Sequence, residues 1–438
     1  MIYGAVAGTF LSFCSALFLL AHSAQAKRLL LLHWAILGLG GLYGAAFTFV
    51  VIATHSGLND FWGPWFDLDD PMLALVPIYA LVLMVGLFAG WAAFPKALPS
   101  SSQMPASTTK VAWLLLLAAV VLQGIYTAAY GGYLGIFEHS RNIRIANFVV
   151  ENRFSFLQPF GALSIFSSLI FASALFDRPP HRPLIAIGLF LSVVFSTYVL
   201  LSWAGRQPLL IYAGSFILPA LYRIRASAPT KLFIAACCLP AFILGAYVVA
   251  QTLNLSAGND IGRFFVKLIA YPHASDLAWL NASEIEHRYF IDFVISPMFL
   301  LPSSIWTIWH DSMDVVNTTM MMGAPKGVDG VTGSVPADLL TIGILQTPVA
   351  AFGVIVTGFL VGVVLRFLQY ILDNLPGRAL QAFMSSYVAL AIAARSAIVF
   401  DPSYFVPQQL MLMISFAAIF IAANPGLLLK RFTSVRAS

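Results

Sequence analysis

Charge is what this sequence has least of: Asp, Glu, Lys and Arg make up 9% of its 438 residues, against roughly a quarter in a soluble globular domain. With 60% of the residues hydrophobic, that scarcity excludes a water-soluble fold. Cysteine is almost missing as well. Cys14, Cys237 and Cys238 all lie inside apolar runs, which argues against a disulfide framework or a thiolate metal centre. The apolar runs also lack the alternation of barrel strands, so a β-barrel is excluded. No nucleic-acid-binding signature is present, and the formal charge of +5 fits contact with anionic lipid or an anionic substrate.

What is present is a series of apolar segments long enough to cross a hydrocarbon core of about 30 Å as helices. They fall near 3 to 22, 29 to 54, 72 to 94, 111 to 130, 159 to 176, 184 to 203, 208 to 223, 232 to 252, 348 to 371, 380 to 400 and 410 to 425. The expectation is therefore an all-α polytopic membrane protein with about 11 transmembrane helices. The first segment ends in Ser23-Ala24-Gln25-Ala26, but no basic region precedes it, and it is read as a retained helix rather than a cleaved signal. One set of alternate connections, running from Lys27 and Arg28 through Arg223, Arg225 and Lys231 to Lys430, Arg431 and Arg436, carries most of the Lys and Arg. The positive-inside rule then puts the N-terminus outside and the C-terminus in the cytoplasm.

Three parts follow from this count: residues 1 to 252 with eight spans, a large external loop from 253 to 347, and residues 348 to 438 with the last three spans and a tail. The loop gathers ionisable groups that the rest of the chain avoids, including Asp276, Glu284, Glu286, His287, Arg288, Asp292 and Asp338. In Ile261 to Tyr271, Arg263 and Lys267 stand one turn apart amid apolar residues, as in a helix lying in the headgroup plane. From Asp276 to Phe293, helical spacing predicts a second amphipathic helix with Asn281, Glu284, His287, Arg288 and Asp292 on one stripe. The end of the loop, with Gly323, Gly327, Gly330 and Gly333 between Met322 and Pro336, is read as irregular. Within the loop no Asp-x-Asp occurs. Asp311 and Asp314 come nearest, so no metal and no cofactor is expected.

Taken together, the span count, the outer Ala204-Gly205-Arg206 turn, the dominant outer loop before the last three spans and its Gly-rich end make the chain resemble the Wzy-type O-antigen and surface polysaccharide polymerases, in the group that includes the O-antigen ligases. The resemblance implies a GT-C-like fold in the bacterial inner membrane, with the long loop in the periplasm. It implies a glycosyltransferase that is metal-independent and moves a glycan from undecaprenyl diphosphate onto the next lipid-linked repeat, with a chain-length regulator as a protein partner. Cleavage puts negative charge on the diphosphate and the acceptor hydroxyl needs a base, so cations and a base are required together. Arg206, Glu284, His287 and Arg288 are the catalytic candidates. Arg206, Arg263, Lys267 and Arg395 are the candidates for holding diphosphate, arginine by its fork of donors. A ligase acting on lipid A core, with His287 beside Arg288, and a lipid-linked sugar flippase stay open. A transporter would place charges deep in several spans.

Overall fold

The structure is a computed structural model and describes residues 2–26, 29–56, 71–94, 104–144, 152–176, 181–202, 206–219, 227, 229–231, 233–234, 272–296, 298, 311–326, 328–329, 331, 335, 337–395 and 402–423. Among these residues there is no strand. The protein is an all-helical membrane protein, and seven of its described helices are long and apolar enough to span a bilayer.

In chain order the spans are α1 (Ile2–Ala24), α2 (Leu31–His55), α3 (Pro71–Ala93), α4 (Ala106–Ala128), then the short α5 (Gly132–Arg144), α6 (Ser155–Phe176) and α7 (Arg182–Ser202). A shorter α8 (Arg206–Ile217) follows. Within the expected loop lie α9 (272–280), α10 (Ile291–Ile295), α11 (Met313–Met322) and α12 (Leu339–Gln346). The chain ends with α13 (Ala350–Asp373), the seventh span, α14 (Arg378–Arg395) and α15 (Pro402–Ala423). The segment 232 to 252, read as a span, lies outside the described residues except for 233–234. Large apolar side chains remain exposed along single faces, such as Phe10, Phe13 and Leu17 on α1 and Ile187, Phe190 and Val194 on α7, which is the surface that lipid covers.

The chain divides into two compact units. The first comprises Met1–Pro95, Leu221–Gln369 and Val388–Phe405. Two glycine pairs let its helices α3 and α13 touch backbone to backbone. A Cβ on Gly86 would meet the Ile355 carbonyl oxygen, one on Gly90 that of Phe359, one on Gly358 that of Leu83 and one on Gly362 that of Leu87. This is the spacing by which small residues bring membrane helices together without a hydrophobic driving force. Gly40–Ala46 within α2 is a π-helical turn and buries Tyr43 completely. The second unit comprises Lys96–Ala220, Tyr370–Tyr387 and Val406–Ser438. Serine hydroxyls tie its spans: Ser167 donates to the Ala112 carbonyl at 2.7 Å, Ser196 to Ser164 at 3.0 Å, and Tyr212 to Ser168 at 2.9 Å.

The expected long amphipathic helix from Asp276 to Phe293 does not form. α9 ends at Leu280, residues 281–290 are turns and irregular chain, and only Ile291–Ile295 resumes a helix. Nor is α9 a surface helix. Residues 272–279 are all buried, so the share of the loop nearest the middle of the sequence supplies core, while Ile261 to Tyr271 lies outside the described residues. The irregular reading of the Gly-rich segment agrees with the described part, where Gly323 ends α11 with φ 81° and turns follow. The apolar stretch after it is two helices rather than one. Pro348 forces the residue before it out of the helical region, and Thr347 sits at φ −145°, ψ 156°.

Candidate functional site

That break leaves the last carbonyls of α12 without partners inside the helix. The segment at 288–290 supplies them. Arg288 N–H donates to the Leu345 carbonyl at 3.0 Å and Tyr289 N–H to that of Gln346 at 2.9 Å, while Phe290 N–H donates to Gln346 Oε1 at 2.6 Å. To present three successive donors to one helix end, the chain takes left-handed backbone at Tyr289 (φ 47°) and Phe290 (φ 63°). Neither is glycine, and such conformations persist only where surrounding contacts over-determine them, often at functional sites. This competition for backbone groups is why helical periodicity fails between 281 and 290.

The turn fixes the side chains around it. Arg288 lays its fork on Asp292, Nε to Oδ2 at 2.7 Å and Nη2 to Oδ1 at 2.6 Å, and donates again from Nη2 to the Asp311 carbonyl at 2.5 Å. Beside this clamp Glu286, His287, Arg288, Tyr289, Ile291 and Val294 line a concavity of about 390 Å³. Tyr289 presents its ring to the outside, at 66% exposure, and His287 stands 6.2 Å from it, centroid to centroid, in a T-shaped arrangement. His287 Nδ1 is buried and has no hydrogen-bond partner among the described residues. A carboxylate, an imidazole and an exposed aromatic ring thus share one recess: groups able to accept a hydroxyl proton and to stack on the apolar face of a sugar.

The chain matches no family model, no curated protein and no solved structure.

Of the residues singled out from sequence, His287 and Arg288 meet in this recess. Glu284 is exposed on the preceding segment and does not line it. Glu286 and Tyr289 do, although the helical reading set them on other faces. Arg206 opens α8 in the second unit and Arg395 closes α14 in the first; their side chains, and all of Arg263 and Lys267, lie outside the described residues. No cluster of three or more metal-ligating side chains occurs among the described residues.

Behind the recess, the other end of α12 is anchored in a buried polar network. Asp338 caps the helix, its Oδ1 accepting from Thr341 N–H at 2.8 Å, and its Oδ2 accepts from the Tyr43 hydroxyl at 2.6 Å. Asp276 on α9 accepts from Thr341 Oγ1 at 2.8 Å through Oδ1, so the two aspartates meet at the same threonine, Asp338 through its N–H and Asp276 through its hydroxyl. Ser275 bridges to Asn317 on α11 at 2.6 Å, and Trp279 Nε1 donates to the same Asn317 oxygen at 2.9 Å. Burial, and then the neighbouring Asp338 charge, push the Asp276 carboxyl well above the usual carboxylate range. Burial raises Asp338 too. His273, enclosed beside Tyr43 and Phe47, is held neutral by its burial, its pKa lowered to about 3.

Proposed function

We propose that this protein is a lipid-diphosphate-dependent glycan polymerase of the Wzy kind, working at the outer face of a bacterial inner membrane. The reading takes the chain as 11 spans with a GT-C-like arrangement, the N-terminus in the periplasm and the C-terminus in the cytoplasm. The observation that carries it is the recess at 286–294, where His287, Glu286 and the exposed Tyr289 ring converge on a strained turn. In the reaction the acceptor hydroxyl oxygen attacks the anomeric carbon of the donor glycan. The C–O bond to undecaprenyl diphosphate breaks, its electrons stay with the diphosphate, and the hydroxyl proton passes to a base.

In this reading His287 is the base, with Glu286 near it, and Tyr289 is the platform for a sugar ring. Arg288 sets the turn through Asp292, which gives it a positioning role beside the catalytic one expected from sequence. Arg206, Arg263, Lys267 and Arg395 are assigned to the diphosphate, for which permanent positive charge is the requirement. The ligase alternative draws on the same recess, through the pairing of His287 with Arg288 at its border.

A deletion strain separates the readings through its lipopolysaccharide ladder. One repeat unit on core is the expected result for a polymerase. Bare core with accumulated lipid-linked polymer would instead identify a ligase, and an unchanged ladder would end both readings. Reporter fusions that placed residue 284 in the cytoplasm would end them as well.

A further inference from the structure

The carboxyl pair behind the recess is used by nothing in that chemistry. Both carboxyls are fully buried and both bond to Thr341, and neighbouring like charges in a medium of low dielectric resist ionising together. The ionisable group that faces the pair is Tyr43 from the π-helical turn; His273 of α9 packs its ring against Tyr43 instead, and α11 contributes the uncharged Asn317 through Ser275. The hydrogen bonds decide which carboxyl holds a proton. Asp338 receives the Tyr43 hydroxyl, the Thr341 N–H and the N-terminal end of α12, three reasons to stay ionised. Asp276 accepts from the Thr341 hydroxyl through Oδ1, and its Oδ2 meets no N–H or hydroxyl donor. A proton on Asp276 gives that oxygen a role, as donor to Asp338.

We infer that Asp276 and Asp338 form a proton-binding site, and that release of its proton loosens α12 and with it the turn at 288–290 that borders the recess. The path is short. Asp338 caps one end of α12 and the Leu345 and Gln346 carbonyls at the other end hold the turn. The helix between them is eight residues long and buried throughout. When the Asp276 O–H bond breaks, the proton leaves to water, the donor to Asp338 is lost, and two carboxylates confront each other across the cap. Gly40–Ala46 completes the site: a π-helical turn is a common companion of function, and here it positions the Tyr43 hydroxyl. The inference is independent of what the recess binds.

The test uses the full-length protein in lipid nanodiscs. Infrared difference spectra with isotope-labelled aspartate side chains should show a protonated carboxyl at neutral pH that disappears in Asp276→Asn, where the amide replaces the acid as donor. Amide exchange in a peptide covering residues 285–292 should accelerate with rising pH by about tenfold per pH unit beyond the intrinsic chemical rate, the slope expected when each opening releases one proton. In Asp276→Asn that excess slope should vanish. If the variant does not fold, the wild type alone decides: the carboxyl band and the slow exchange should be lost over the same pH interval. No protonated aspartate at neutral pH, or loss of the band with the turn's exchange unchanged, would overturn the inference.

Discussion

Arg288 and Asp292 form a two-point pair across one helical turn, with both nitrogen–oxygen distances at 2.7 Å or less and side chains only 9% and 1% exposed. The pair sets the entry to α10 while the same arginine's backbone N–H closes the end of α12. One residue therefore joins two elements, by charge on one side and by a peptide group on the other.

Removing Asp292 would leave the guanidinium buried without its counter-charge. Asp292→Ala should destabilise the protein by about 3 to 5 kcal/mol, the usual consequence of breaking a buried pair. Reversible unfolding in mixed micelles measures it. A loss under about 1 kcal/mol would mark the pair as an ordinary surface contact.

The approach of α3 to α13 makes a sharper packing prediction. Gly90→Ala places a methyl against the Phe359 carbonyl and should cost about 1 to 3 kcal/mol by overpacking. Gly41→Ala, where a Cβ meets nothing within 4 Å, serves as the control and should leave thermal stability unchanged. Equal melting temperatures for the two variants would contradict the close contact.

Stability should also fall as pH rises above neutrality. Asp276 is raised in the folded state, so it contributes stability below its unfolded pKa of about 3.9 and loses it as pH rises toward the folded value. His273, lowered to about 3, acts the other way: its contribution is present above about 6.5 and lost on acidification. Above pH about 6.5 only the carboxyl slope remains of these two, at most about 1.4 kcal/mol per pH unit. Asp276→Asn should flatten it in a pH series of unfolding midpoints.

For the proposed reaction, His287→Gln should lower turnover by about two to four powers of ten, the range for loss of a general base, with folding intact. Tyr289→Ala should raise KM more than it lowers kcat if the ring only stacks on sugar. Polymer formation from purified lipid-linked repeats reads both.

Arg206 carries a separate prediction. Arg206→Ala should lower turnover by about two to three powers of ten if the guanidinium meets charge that develops on the diphosphate, and Arg206→Lys should restore only part, since an ammonium lacks the fork. Ladder lengths from cells making equal amounts of each protein give the answer; a normal ladder from the alanine variant would remove Arg206 from the reaction.

How far the sequence could be read depends on what each signal reports. Length and hydropathy located the described spans because crossing hydrocarbon demands continuous apolar helix. Period alone failed at Glu284 to Arg288, where the carbonyls of Leu345 and Gln346, more than fifty residues away, decide the backbone. Asp276 and Asp338 read only as two members of the loop's cluster of ionisable groups, because no local feature announces a partner across 62 positions. Two signals were available and went unused. Asp338 stands three residues before Thr341 at the start of an apolar run, which is the spacing of a helix cap, and Gly86 and Gly90 answer Gly358 and Gly362 at the same interval.

The brevity of α12 bears on how the protein is made. Eight residues rise about 12 Å, too little to be threaded across a bilayer on its own, yet all eight are buried. The segment is therefore too short to be delivered as a span of its own, and its burial against Tyr43 on α2, Asp276 on α9 and Val354 on α13 is a step of tertiary assembly rather than of membrane insertion.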